Sequence, residues 1–74
     1  MNKLTDREQE ILDFIIEYRE YNGYSPSLRE ICQGCYIGST NGASYFINQL
    51  VMKQAIDYTP RIPRSARPKK RKAV

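Results

Sequence analysis

The sequence predicts a mainly α-helical domain, three helices followed by a small β-hairpin. Three observations lead there. A hydroxyl residue stands three positions ahead of a glutamate twice, as Thr5 with Glu8 and Ser27 with Glu30. Apolar residues recur at helical spacing, first as Ile11, Phe14, Ile15 and Tyr18 and later as Ala43, Phe46, Ile47 and Leu50. After Lys53 the pattern becomes the alternation Ala55-Ile56-Asp57-Tyr58-Thr59, the period of a strand.

The first helix opens at Thr5, where the threonine hydroxyl and the Glu8 carboxylate each satisfy an orphan backbone N–H. Asp6 and Glu8 also suit the positive end of the helix dipole. Leu12 and Ile16 widen the apolar face, and Asn22-Gly23 supplies the stop. Pro26 keeps Ser25 extended, so Tyr24-Ser25-Pro26 is a connector. Ser27 then starts a short second helix whose apolar side is Leu28, Ile31, Cys32 and Cys35. A turn around Tyr36-Ile37-Gly38 leads to Ser39 or Thr40 as the next cap, and the third helix runs to about Lys53. Two helices joined by a few residues including glycine form a helix-turn-helix pattern. Pro60 and Pro63 bracket a turn, residues 64–67 return as a poor second strand with little to bury, and disorder is expected from Pro68 onward.

A chain of 74 residues forms one small domain and holds one core. The longest uncharged stretch, residues 31–52, is too rich in Gly, Ser, Thr, Asn and Gln for a membrane span. Acidic residues early in the chain speak against a signal peptide, so the expected compartment is cytoplasm. The net charge of +4 divides unevenly, with −3 on residues 1–60 and +7 on residues 61–74. A basic arm on an acidic body points to a polyanionic partner, the plain alternative being a solubilising tail.

Cys32 and Cys35 form one CxxC, without a histidine or a second cysteine pair to complete a zinc site. Their spacing puts both on one helical face, where free cysteine packs as a small hydrophobe, with a redox role as the alternative. No phosphate loop and no convergent carboxylates support catalysis, so neither an enzyme nor a cofactor or small-molecule substrate is expected.

The run LTDREQEILDFIIEYREYNGYSPSLREI, the ST at the third helix start and the later PRIPRSAR together resemble the DNA-binding domain of LexA-type repressors. The likeness covers roughly residues 3–67. It implies a three-helix winged helix-turn-helix with the third helix reading the major groove of double-stranded DNA and the hairpin as wing. Two positions depart from the family pattern: Tyr36 stands where glycine is usual, and Lys53-Gln54 where Lys-Gly is usual. A left-handed residue other than glycine costs about 1 kcal/mol, so the third helix is expected to end differently. Full repressors continue into a Ser/Lys peptidase domain that dimerises and cleaves itself. A chain that stops before it is expected not to cleave itself and to lack that dimerisation device, leaving a homodimer or a partner regulator open.

On this reading the domain covers residues 1–60, and residues 61–74 form the basic end of the wing and the arm. Asn41, Tyr45 and Asn48 point outward from the third helix, with Ser44 on the flank. Recognition helices meet base edges mainly through their N-terminal residues, and asparagine pairs bidentately with adenine. The expected base readers are Ser39, Asn41, Gly42, Ser44, Tyr45 and Asn48, with Gly42 admitting the groove closely. Phosphate contacts are expected from Ser27, Arg29, Thr40, Lys53, Arg61, Arg64, Arg67, Lys69, Lys70, Arg71 and Lys72. The competing class is a protein-interaction module that engages another regulator or an acidic protein through the same fold and arm.

Overall fold

The computed structural model describes residues 3–69. Three helices, α1 (Asp6–Asn22), α2 (Leu28–Gly34) and α3 (Thr40–Met52), precede two short strands, β1 (Ile56–Asp57) and β2 (Arg67–Pro68). The strands are antiparallel, with Ile56 opposite Pro68 and Asp57 opposite Arg67. This is a winged helix-turn-helix.

Both capping boxes close. The Thr5 N–H donates to Glu8 Oε1 at 2.9 Å while the Glu8 N–H donates to Thr5 Oγ1 at 3.2 Å. Ser27 and Glu30 repeat these bonds at 2.9 and 3.2 Å. Of the two candidate caps for α3, Ser39 serves, its Oγ accepting the Gly42 N–H at 3.3 Å. Gly23 ends α1 at φ +83°, a left-handed conformation glycine adopts without steric cost.

The core gathers the inward faces of all three helices. Ile11, Ile15, Ile31, Ala43, Ile47 and Leu50 have no exposed surface. Burying a large aliphatic side chain contributes about 1.5–3 kcal/mol, so these residues dominate stability. Phe14, Tyr18, Leu12 and Ile16 are half-buried around them. Cys32 and Cys35 are free thiols inside the same cluster.

The hairpin differs from the sequence reading. Its first strand is shorter than 55–59 because Thr59 turns away, its N–H donating to Ser65 Oγ at 3.0 Å and its carbonyl accepting from that hydroxyl at 2.9 Å. The return strand lies at 67–68, not 64–67. The stretch expected to bury little supplies Ala66, which is 1% exposed and belongs to the core cluster. Pairing continues past Pro68, the Lys69 N–H donating to the Ala55 carbonyl at 2.9 Å. Order therefore extends beyond the proline at which it was expected to stop.

Helix α3 ends with Gln54 in the left-handed conformation at φ +61° despite its side chain. The Ala55 N–H reaches the Leu50 carbonyl and the Gln54 N–H the Val51 carbonyl, both at 2.9 Å. These two bonds satisfy carbonyls the helix end would otherwise leave open. Tyr36 after α2 does the same at φ +57°, with the Ile37 N–H on the Cys32 carbonyl at 2.9 Å. Both carry strain that glycine relieves. The Gln54 side chain is exposed and makes no hydrogen bond among the described residues, so Gln54→Gly is expected to raise stability by about 0.5–1 kcal/mol. Equilibrium urea unfolding of the two proteins measures it.

Candidate nucleic-acid interface

The exposed side of α3 is built by the burial of its other side. With Ala43, Ile47 and Leu50 locked inward, Asn41, Tyr45 and Asn48 fall on the opposite face and are exposed. Ser39 and Thr40 are exposed at the helix start, while Gly42 and Ser44 are half-buried. No residue of α3 carries a charge. Tyr45 is 58% exposed, and its ring meets Phe46 edge-on, with centroids 5.3 Å apart at 75°. Aromatic pairs favour this arrangement, which restrains a side chain otherwise in solvent.

Gly42 has an internal reason to be glycine. A Cβ there would lie 2.8 Å from Ile37 Cγ2, so the missing side chain makes room for the turn before α3. The turn is tied again by the Cys32 thiol, which donates to the Ser39 carbonyl at 3.0 Å. The start of α3 is thereby fixed from α2.

The basic residues expected on phosphate divide into two groups. Arg29, Arg61 and Arg67 are exposed and make no ion pair among the described residues. Arg29 and Arg61, distant in sequence, line one cleft of about 370 Å³ between the start of α2 and the wing. Lys69 lies 3.7 Å from Asp57, an exposed pair of little energetic weight. Lys70, Arg71 and Lys72 lie outside the described residues.

Lys53 and Arg64 have other partners. Lys53 Nζ donates to Glu8 Oε1 at 2.5 Å and to the Lys3 carbonyl at 3.2 Å, pinning the end of α3 to the start of α1. Glu8 is only 5% exposed, and the hydrogen bond from Lys53 holds its carboxyl below the ordinary value. Arg64 forks onto Glu30 at 2.7 and 3.1 Å and donates to the Ser25 carbonyl at 3.1 Å. Its guanidinium also lies over the Tyr24 ring at 4.8 Å. Ser27 likewise spends its hydroxyl on the Glu30 N–H.

Sequence reasoning passed over Arg7. It donates to the Cys35 carbonyl at 2.5 Å, pairs with Glu10 at 2.9 Å and lies 5.9 Å from the Phe46 ring centroid. One side chain thus joins α1, the end of α2 and the flank of α3. Only its i,i+3 pairing with Glu10 was visible locally. The remaining acids of α1, Asp6, Asp13, Glu17 and Glu20, are exposed with Glu10 opposite the buried Ile11 and Ile15. The buried face packs on α3, so these carboxylates are turned away from the outer face of α3.

A small winged helix-turn-helix that presents an uncharged helix, flanked by cations and backed by acids, has the form of a DNA-binding domain of transcription regulators. The family model for the LexA DNA binding domain matches residues 1–65, and the chain belongs to that family. It is 39% identical over 64 residues to a LexA repressor of Acetivibrio thermocellus, covering 86% of this chain and 30% of that protein. With a LexA repressor of Pseudomonas chlororaphis the identity is 43% over 67 residues, 90% of this chain and 33% of that one. With that of Thermosipho melanesiensis it is 40% over 65 residues, 88% and 32%. The chain spans about a third of the length of these relatives.

Among the described residues no three His, Cys, Asp or Glu side chains are placed to hold a metal. Burial raises the Cys35 thiol above its ordinary value, which disfavours the thiolate. Replacing both cysteines with alanine is expected to lower stability by about 1–3 kcal/mol through lost packing. Duplex binding by the folded variant should not respond to zinc or reductant. Zinc retained in stoichiometric amount by the parent after dialysis would refute this.

The Arg64 guanidinium, with the Ser27 N–H second, holds the Glu30 carboxyl down at about 2, against an ordinary value of 4.5. A depressed folded-state value means that the pair stabilises fully above the unfolded value and loses its effect as pH falls through the folded one. Stability is expected to drop between pH 4.5 and about 2 as Glu30 protonates, and Glu8, also held below its ordinary value, adds to the loss in the same direction. In urea titrations across that range, Glu30→Gln should show a shallower drop than the parent.

Proposed function

We propose that this domain selects its duplex sequence through the outer face of α3 and acts as a transcriptional repressor. The observation that carries the reading is the exposure of Asn41 in the first turn of α3, on the face opposite fully buried Ala43, Ile47 and Leu50. Its amide donates and accepts at once, which suits an adenine edge, while Ser44, Tyr45 and Asn48 offer hydroxyl, ring and amide beside it. Ser39 and Thr40 at the helix start meet phosphate or a base edge, and the half-buried Gly42 keeps the backbone there narrow. Arg29, Arg61 and Arg67 take phosphates, joined by Lys69 and by Lys70, Arg71 and Lys72 of the arm. The relatives are named repressors, which supports the regulatory role.

A half-site read by so small a domain binds weakly, so two copies or a partner regulator on adjacent half-sites complete the reading in a cytoplasmic setting. The exposed carboxylates of α1 favour one competing reading, in which the chain engages a protein through this fold. Asn41→Ala separates them. Losing a bidentate contact removes about 1–3 kcal/mol of discrimination at one base pair. The variant should therefore relax sequence preference at one position per half-site while retaining the salt dependence and fold of the parent. Competition binding against single-base operator variants measures it, and unchanged preference at every position would favour the protein-interaction reading.

A further inference from the structure

The wing loop contains two arginines in left-handed backbone conformation, Arg61 at φ +73° and Arg64 at φ +58°. Residues other than glycine reside there at a steric cost, so surrounding structure must hold them. Their side chains are held very differently. Arg64 turns inward onto Glu30, the Ser25 carbonyl, the Tyr18 hydroxyl at 3.5 Å and the Tyr24 ring. These partners lie on α1, on the connector and at the start of α2. Arg61, three residues earlier, is exposed, makes no ion pair among the described residues and lines with Arg29 the cleft that Arg64 borders as well.

We infer that Arg64 is a positioning residue that locks the wing onto the start of α2 and thereby sets Arg61 beside Arg29 on a phosphate track. The lock rests on a bidentate pair, which fixes direction as well as distance. Within the loop, the hydrogen bonds among the described residues are those of Thr59 with Ser65 and of the Ile62 N–H on the Thr59 carbonyl at 3.2 Å, beside the burial of Ala66. The Arg64 guanidinium adds the tie from the loop tip to the helices. Glu30 is central, since the same carboxylate caps α2 and receives Arg64. In this arrangement the Arg64 charge, although 40% of its side chain is exposed, is paired within the domain and displaces no counterion from DNA.

The inference rests on the phosphate reading of Arg61, and the experiment tests the two separately. Fluorescence anisotropy with a labelled duplex over a salt series gives affinity and slope for the parent, Arg61→Gln, Glu30→Gln and the double variant. If Arg61 meets a phosphate, Arg61→Gln lowers the magnitude of the slope by about 0.9. Glutamine also serves in a capping box, so Glu30→Gln removes the lock while keeping the cap. The expected result is that Glu30→Gln weakens binding and lowers the slope as Arg61→Gln does, although it removes a negative charge. The double variant should then be no worse than either single one, because both break one arrangement.

A direct phosphate contact by Arg64 predicts the opposite, tighter binding when Glu30 is neutralised, and that outcome overturns the inference. Equal and additive effects of the two substitutions overturn it as well. An unaltered slope in Arg61→Gln overturns the phosphate reading and the inference with it. If Glu30→Gln fails to fold, the Arg64 guanidinium resonances of the parent decide. They should stay in place when duplex is added, and a large shift places Arg64 on DNA.

Discussion

A capping glutamate that also receives a distant cation organises this fold, and the device occurs twice. Glu8 closes the start of α1 with Thr5 and accepts Lys53 from the end of α3, 45 residues away in sequence. Glu30 closes the start of α2 with Ser27 and accepts Arg64 from the wing, 34 residues away. Each carboxylate therefore serves a local helix and a long-range closure together. For Glu8 the arrangement is a condition of burial, since an ionised carboxylate out of water is tolerated only when paired and hydrogen-bonded. Glu30 stays wetter, at 30% side-chain exposure, and its fork to Arg64 contributes orientation more than energy.

Half of this device was legible in the sequence. The three-residue spacing of Thr5 with Glu8 and of Ser27 with Glu30 fixes the helix starts because capping is a local interaction. The periodicity that placed Ala43, Ile47 and Leu50 inward likewise depends only on neighbours along α3. The cations were not legible. Lys53 and Arg64 look in sequence like Arg61 and Arg67, and only the folded chain shows which of them meets a carboxylate. Ala66 escaped notice for a related reason, since a small residue among Ser, Arg and Pro signals no core until the wing folds back onto the helices.

The two departures from the family pattern share one backbone explanation. Tyr36 and Gln54 replace the usual glycines, yet both keep the left-handed conformation. The hydrogen bonds closing α2 and α3 require that geometry. The same geometry aims the chain so that Cys32 reaches the Ser39 carbonyl and Ala55 packs on the core. Tertiary closure outweighs a residue preference of about 1 kcal/mol.

The division of charge arises from the same closures. Arg7, Arg19, Lys53 and Arg64 each bond to a group within the domain, as Glu10, Ser25, Glu8 and Glu30 show. Among the described residues, the cations left facing solvent near the helix-turn-helix are Arg29, Arg61 and Arg67, with Lys69 loosely held by Asp57. On the proposed reading these cations and the arm supply the phosphate contacts, each adding about −0.9 to the salt slope. The uncharged α3 offers amides, hydroxyls and a ring in place of charge, so on the same reading it adds nothing to that slope. Affinity and selectivity are thus proposed to reside on different elements, while the tie between Arg64 and Glu30 joins the wing to α2.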